Sequence, residues 1–163
     1  MKVSDDDAPR PLGDEDLATW ASLATMLEWL PPALDAPLRG LGLTHFEYGV
    51  LFALANAPEQ TLRLSVLAEY ANSSLSRLSR AVSRLEAQGW ARRGADPADG
   101  RSTLAVLTDD GEQRLLLATP RHEENVRRLV LDGMTTSEKR QLLALTTRVN
   151  RTIRESGAWP GPA

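Results

Sequence analysis

Between Ser74 and Arg101 the stretch SLSRLSRAVSRLEAQGWARRGADPADGR sets serines and arginines at short intervals. From Arg77 to Arg101 there are six arginines against the acids Glu86, Asp96 and Asp99, although the whole chain carries a net charge of −3. The first 60 residues hold only Lys2, Arg10 and Arg39 against ten acids. A local basic patch on an acidic chain is an electrostatic footprint for phosphates, whose response is to the field at the binding face. Because the patch is all arginine, it suits forked hydrogen bonds to guanine edges and phosphate oxygens better than diffuse attraction.

At about 100° per residue, Leu75, Leu78, Ala81, Val82 and Leu85 share one arc of a helix and are expected in the core. Ser76, Arg77, Ser79, Arg80, Ser83 and Arg84 share the other, with no acid before Glu86. Serines let such a helix approach a groove floor closely while arginines reach past them. Ser74 is placed to cap it, leaving N–H groups free to face a phosphate, and Gly89 to end it. A short helix capped by Ser65 precedes it, through about Ala71, with a turn at Asn72-Ser73. Residues 90 to 107 then switch to alternation, WARRGA, a turn at DPADG and RSTLAVLT, which predicts a two-stranded hairpin. Trp90 is expected to anchor it, and Pro97 and Gly100 to supply the turn geometry.

The remaining elements frame this lobe. A helix from about Asp14 carries Leu17, Trp20, Leu23, Met26, Leu27 and Leu30 at helical spacing, and Pro31-Pro32 is expected to break or kink it. A further segment, ALDAPLRGLG, ends at Gly40 or Gly42. Thr44 and Glu47 form a capping box for LTHFEYGVLFALANAP. Thr108-Asp109-Asp110 opens a long helix to about Leu131 with Pro120 inside it, and Thr135 with Glu138 opens the last. The expected organisation is a disordered arm (1–13), N-terminal helices (14–42), a winged helix-turn-helix lobe (43–108), C-terminal helices (109–155) and a tail (156–163) containing Trp159. The fold class is mainly α with a small β-hairpin wing.

Several classes of chemistry fall away. Without cysteine there are no disulfides, thiolates or thiol switches. His45 and His122 are the only histidines, and neither accompanies a Gly-x-Ser-x-Gly elbow, a phosphate loop or a metalloprotease motif, so no catalytic residue and no cofactor is expected. His122-Glu123-Glu124 could hold a metal across a dimer, but a solvated polar face explains it more simply, and no metal site is assigned. No stretch reaches the roughly 18 to 20 apolar residues of a spanning helix, and the acidic start lacks a signal pattern, so a cytoplasmic protein with no membrane partner is expected.

The stretch LSVLAEYANSSLSRLSRAVSRLEAQGWARRGADPADGRSTLAVLTDDG resembles the DNA-binding lobe of the MarR family of bacterial transcription regulators. The matching positions are Ser74, Ser76, Leu78, Ser79 and Arg80, then Leu85-Glu86 and Gly89. They continue through Asp96-Pro97, Asp99-Gly100-Arg101, Leu107-Thr108 and Gly111. LTHFEYGVL resembles the family's L-T-x-x-Q/E-[WY]-x-V-L helix and the capped MTTSEKRQLLAL its last helix, and the likeness extends over about residues 15 to 155.

The resemblance implies a homodimer built by the terminal helices. The apolar rows Val126, Leu129 and Val130, with Leu142, Leu143, Leu145 and Val149, argue the same independently. Such a dimer would set two recognition helices, residues 74–89, into major grooves of a pseudo-palindromic double-stranded operator. The DNA-contacting set is then Ser74, Ser76, Arg77, Ser79, Arg80, Arg84, Asp99 and Arg101, with repression the family default. Wing residues 94–104 would lie at the minor groove with Arg101 entering it. Asp99 is expected to turn inward, pairing with Arg101 or capping turn amides. The resemblance also implies a small aromatic effector, for which Trp20, Leu23, Leu27, His45 and Tyr48 are the candidates; ordinary core packing is the competing explanation. The competing function is a winged-helix dimer that serves as a protein-interaction module.

Overall fold

The computed structural model describes residues 10–157. The greater part of the expected N-terminal arm, the end of the tail and Trp159 lie outside the described residues. The chain divides into two units, one ending at Ala33 and one beginning at Leu34.

The first unit is the body of helix α1 (Asp14–Asp35), whose opening turn carries Asp14, Glu15 and Asp16 against the helix dipole. The two prolines do not end it. Pro31 and Pro32 both lie inside α1, which runs on to Asp35. Leu17, Trp20, Met26, Leu27 and Trp29 all stand exposed along it.

The second unit opens with a 3-10 turn over Arg39–Leu41, closed by Gly42 in the left-handed region, in place of the tail of a separate helix. Helix α2 (His45–Ala55) starts in the predicted capping box: Thr44 Oγ1 accepts from the Glu47 N–H while the Glu47 carboxylate accepts from the Thr44 N–H. Strand β1 (Thr61–Arg63) leads into α3 (Leu64–Tyr70), whose cap position is Arg63 with no side-chain cap bond. Ser65 therefore lies inside α3 and does not cap it. Asn72 turns the chain at φ 48°, a conformation its short polar side chain tolerates.

Helix α4 (Leu75–Ala87) follows. Ser74 accepts from the Arg77 N–H, and the far end closes as a Schellman motif. There the Trp90 N–H donates to the Leu85 carbonyl and the Gly89 N–H to the Glu86 carbonyl, with Gly89 at φ 76°.

Strands β2 (Ala91–Asp96) and β3 (Asp99–Leu107) form the hairpin, but the sheet has three strands, not two. Its antiparallel order is β1-β3-β2, and β1 pairs Thr61 with Val106 and Arg63 with Leu104. Three residues are too few to show an alternation, which hid β1 from a reading of periodicity.

Helix α5 (Asp109–Val126) continues through Pro120 and passes into a π-helical turn over Arg127–Leu131, so its α-helical part stops short of Leu131. Helix α6 (Thr136–Glu155) begins in the predicted Thr135–Glu138 box.

The core sits under the sheet and between α2, α4 and α5. Val50, Leu51 and Leu54 of α2, Leu67 of α3, and Leu78, Val82 and Leu85 of α4 are fully buried there, with Trp90 and Leu115 beside them. Each such aliphatic side chain contributes about 1.5–3 kcal/mol by leaving water, so α4 is fixed by its apolar arc and its polar arc is left outward. One residue breaks the expected pattern. Leu75, the first residue of α4, is 53% exposed rather than buried and lies outside the core cluster.

Candidate nucleic-acid interface

The outward arc of α4 divides by what its side chains already hold. The side chains of Ser76 and Arg80 make no hydrogen bond or ion pair among the described residues, and both stand exposed. Arg77 is exposed and lies over the Phe46 ring at 4.3 Å, which keeps its guanidinium extended along the α2 side of the helix. Ser74 is spent on the cap.

Arg84 is engaged. Its Nε donates to Glu47 Oε1 at 2.6 Å, and Glu47 is buried while also capping α2. The arginine expected to reach DNA ties α4 to α2.

Two further arginines, one in the basic patch and one outside it, have jobs that sequence did not disclose. Arg93 clasps α4 from the hairpin: it donates to the Ser79 carbonyl at 2.7 Å, Ser79 Oγ at 3.1 Å and Ser83 Oγ at 3.0 Å, and pairs with Glu86. Its own N–H donates to Glu86 Oε1. Ser79, expected on the DNA face, is half-buried and partly taken up by this clasp. Arg63 donates to Asp96 Oδ2 at 2.6 Å, fastening the wing to β1.

At the wing tip Pro97 and Ala98 form a two-residue turn between the strands. Asp96 Oδ1 accepts from the Ala98 N–H at 2.8 Å, and that bond, followed by the Arg63 contact, holds the carboxyl below the usual carboxylate range. Gly100 belongs to β3 and has no left-handed φ, so it does not supply the turn.

Asp99 turns onto its own strand. It accepts from the Ser102 hydroxyl at 2.7 Å and the Arg101 N–H at 3.1 Å, and these two bonds, in that order, lower its pKa. Of the two arrangements expected for it, the amide cap is present and a pairing with the Arg101 guanidinium is not. The Arg101 side chain stays exposed and shares an open groove of about 270 Å³ with Leu75, Ser79, Ser102 and Thr103, between α4 and the wing.

The architecture matches known proteins. The sequence profile of the MarR family matches residues 40–102. Sco3205 of Streptomyces coelicolor, a MarR family transcriptional regulator solved in complex with DNA, is 38% identical, with a TM-score of 0.86 over 90% of this chain and 92% of that one. The chain belongs to the MarR family of transcriptional regulators. AbsC, another MarR family regulator of S. coelicolor, is 28% identical with a TM-score of 0.85 over 90% of this chain and 99% of that one. The transcriptional regulator HosA of Escherichia coli O111:H- is 37% identical over 78 residues, which are 48% of this chain and 56% of HosA. No helix among the described residues is long and apolar enough to cross a membrane.

For a MarR-type effector site, the five sequence candidates fall in different units. Trp20, Leu23 and Leu27 lie on α1 in the first, where Trp20 and Leu27 are exposed and Leu23 is half-buried. His45 and Tyr48 lie on α2 in the second and meet a residue that was read as solvated surface. His45 Nδ1 and His122 Nε2 are 3.0 Å apart with the rings stacked, and His122 also stacks on Tyr48 at 4.2 Å between centroids. The His45 N–H donates to Asp35 Oδ1 at 2.6 Å. An open hollow of about 530 Å³ lies beside this stack, lined by Tyr48, Phe52, His122, Val126 and Arg127. The separation of 77 residues between the two histidines leaves no sequence signal for their pairing.

Burial lowers the pKa of both histidines. For His45 the Asp35 carboxylate opposes the shift; for His122 the His45 charge adds to it and Glu123 opposes it. The unfolded chain takes up protons below about pH 6.5 at histidines that the folded chain keeps neutral. Stability supported by the neutral pair is complete above that pH and is lost as pH falls through the lowered values. Melting temperature is expected to drop between pH 7 and pH 5, and scanning calorimetry of His122→Phe should show a shallower drop.

Proposed function

We propose that the protein is a sequence-specific DNA-binding regulator, a repressor that binds a pseudo-palindromic operator as a homodimer. One observation carries this reading: α4 buries its apolar arc completely beyond the first turn, yet presents Ser76, Arg77 and Arg80 outward beside the wing arginine Arg101. On this reading α4 enters the major groove and residues 94–104 lie along the adjacent minor groove, where narrow A·T-rich DNA concentrates negative potential. Ser74, Ser79, Arg84 and Asp99 belong to the interface mainly by positioning it.

A second copy of the chain is the cover for α6, which has no buried residue of its own and exposes Leu143, Leu145, Val149 and Ile153. The exposed apolar residues of α1 support the same assembly. A small aromatic molecule is the proposed effector, with the aromatic hollow of Tyr48, Phe52 and His122 as its site; Arg127 at the rim is already paired with Glu123 and Glu124.

DNase footprinting on the promoter beside the protein's own gene, with and without a panel of aromatic acids, tests this reading. A protected palindrome that is released by one of the acids is expected. Absence of any protected site would overturn it.

The wing makes a separate prediction. Because the Asp99 carboxylate holds the Arg101 amide and the Ser102 hydroxyl, Asp99→Ala is expected to weaken operator binding nearly as much as Arg101→Ala. Simple charge counting predicts the opposite, since deleting an acid reduces repulsion of phosphate. Gel-shift titration separates the two, and tighter binding by Asp99→Ala would refute the positioning role.

A further inference from the structure

Leu75 is the first residue of α4, and unlike Leu78, Val82 and Leu85 it is not part of the core. With the half-buried Leu64 it forms the apolar side of a groove whose other sides include Ser79, Arg101 and Thr103, and of the two leucines it is the more exposed. Its immediate neighbour Ser76 faces outward. A lone exposed leucine is ordinary on a protein surface, but this one stands at the helix end that meets base edges in a helix-turn-helix. The exposed Arg101 flanks it, which suits a polyanionic partner and not an apolar one, while Arg63 on the same groove is paired with Asp96. The apolar feature that a major groove offers such a side chain is the C5-methyl group of thymine.

We propose that Leu75 reads thymine in each operator half-site by packing on its methyl group. The inference rests on the DNA-reading role of α4 and assigns it a base preference. The serines and Arg80 hydrogen-bond, whereas Leu75 adds a contact that no hydrogen bond can replace. Cytosine at that position lacks the methyl group and presents an amino donor to an apolar side chain, so it is rejected on both counts.

The test uses the full-length protein and operator duplexes that it selects from a random library. Each thymine of the half-site is replaced in turn by deoxyuridine, which removes only the methyl group. Wild-type protein is expected to lose about fourfold in affinity per methyl read, the equivalent of ~0.8 kcal/mol for one buried carbon group. Leu75→Ala should bind the thymine and uracil duplexes equally, and because Leu75 is exposed it should fold as wild type does. Equal wild-type affinity for thymine and uracil at every position overturns the assignment to Leu75 alone, as does a difference that survives in Leu75→Ala. A protein that selects no sequence from the library overturns the DNA-reading role and this inference with it.

Discussion

Gly111→Ala is expected to destabilise the fold by about 3 kcal/mol or more, lowering the melting temperature by roughly 6–12 °C in a chain of this size. The reason is a backbone approach that no side-chain motion relieves. A Cβ built on Gly111 would lie 1.9 Å from the Trp90 carbonyl oxygen and 2.9 Å from Leu107 Cδ1. That proximity is enforced from several directions. Thr108 caps α5 by accepting from the Gly111 N–H and donates its hydroxyl to the Gly89 carbonyl at 2.6 Å, while its own N–H donates to the Trp90 carbonyl. The end of α4, the start of the sheet and the start of α5 thus meet at one point. Moving α5 outward to admit a methyl group would break the junction that orients α4 and the wing. Gly49→Ala in α2 is the control, since nothing lies within 4 Å of its added carbon. It should be neutral or stabilising by about 0.5–1 kcal/mol, as alanine is the better helix former. A Gly111→Ala melting point equal to wild type would mean that the junction is looser than the structure has it.

Arg80→Ala is expected to weaken operator binding by about 1–3 kcal/mol, roughly 5- to 150-fold, and to relax sequence choice, with stability unchanged within about 0.5 kcal/mol. The two halves of this prediction come from the same fact. Arg80 is exposed on the outward arc of α4 and its guanidinium makes no hydrogen bond or ion pair among the described residues, so its removal costs the fold no such bond. Arg93→Ala should behave in the opposite order. It removes hydrogen bonds to Ser79, Ser83 and Glu86 that fasten α4 to the hairpin, so stability falls first and affinity follows from a displaced helix. Paired calorimetry and binding titrations on the two variants distinguish a reader from a support. Unchanged affinity and footprint for Arg80→Ala would show that α4 is not the reading element.

The division between reading and supporting arginines is where sequence stopped being informative. Spacing placed Arg77, Arg80 and Arg84 on one arc correctly, since helical geometry fixes their directions. It could not show that Glu47, 37 residues earlier, reaches back to Arg84, or that Arg93 folds over onto Ser79. Those contacts are made by tertiary packing, and a charge count treats engaged and free arginines alike. Caps were legible at Ser74, Thr44, Thr108 and Thr135 because the capping bond spans only three residues. The cap assigned to Ser65 failed because β1 runs directly into α3 and leaves no loop for it.

Of the two outcomes open to Pro31 and Pro32, ending the helix is excluded, since α1 runs on to Asp35, and Pro120 lies inside α5 as expected. Leu75 was misplaced because a helical wheel gives an angle and not a depth, and the first residue of the helix lies at the margin of the core. That Asp99 caps a turn amide was one of the two arrangements expected for it. Which partners, the Ser102 hydroxyl and the Arg101 amide, depended on the hairpin register.

The most direct test of the central claim is the salt dependence of binding by the full-length protein to its selected operator and to a scrambled duplex of the same composition. The account predicts that log affinity falls linearly with log salt, by about 10³- to 10⁵-fold between 50 and 200 mM if six to ten phosphates are contacted. The scrambled duplex should bind at least about 10³-fold more weakly at physiological salt. Equal affinity for both duplexes, or affinity that salt does not change, would contradict it and leave the α4 face as a surface for protein rather than DNA.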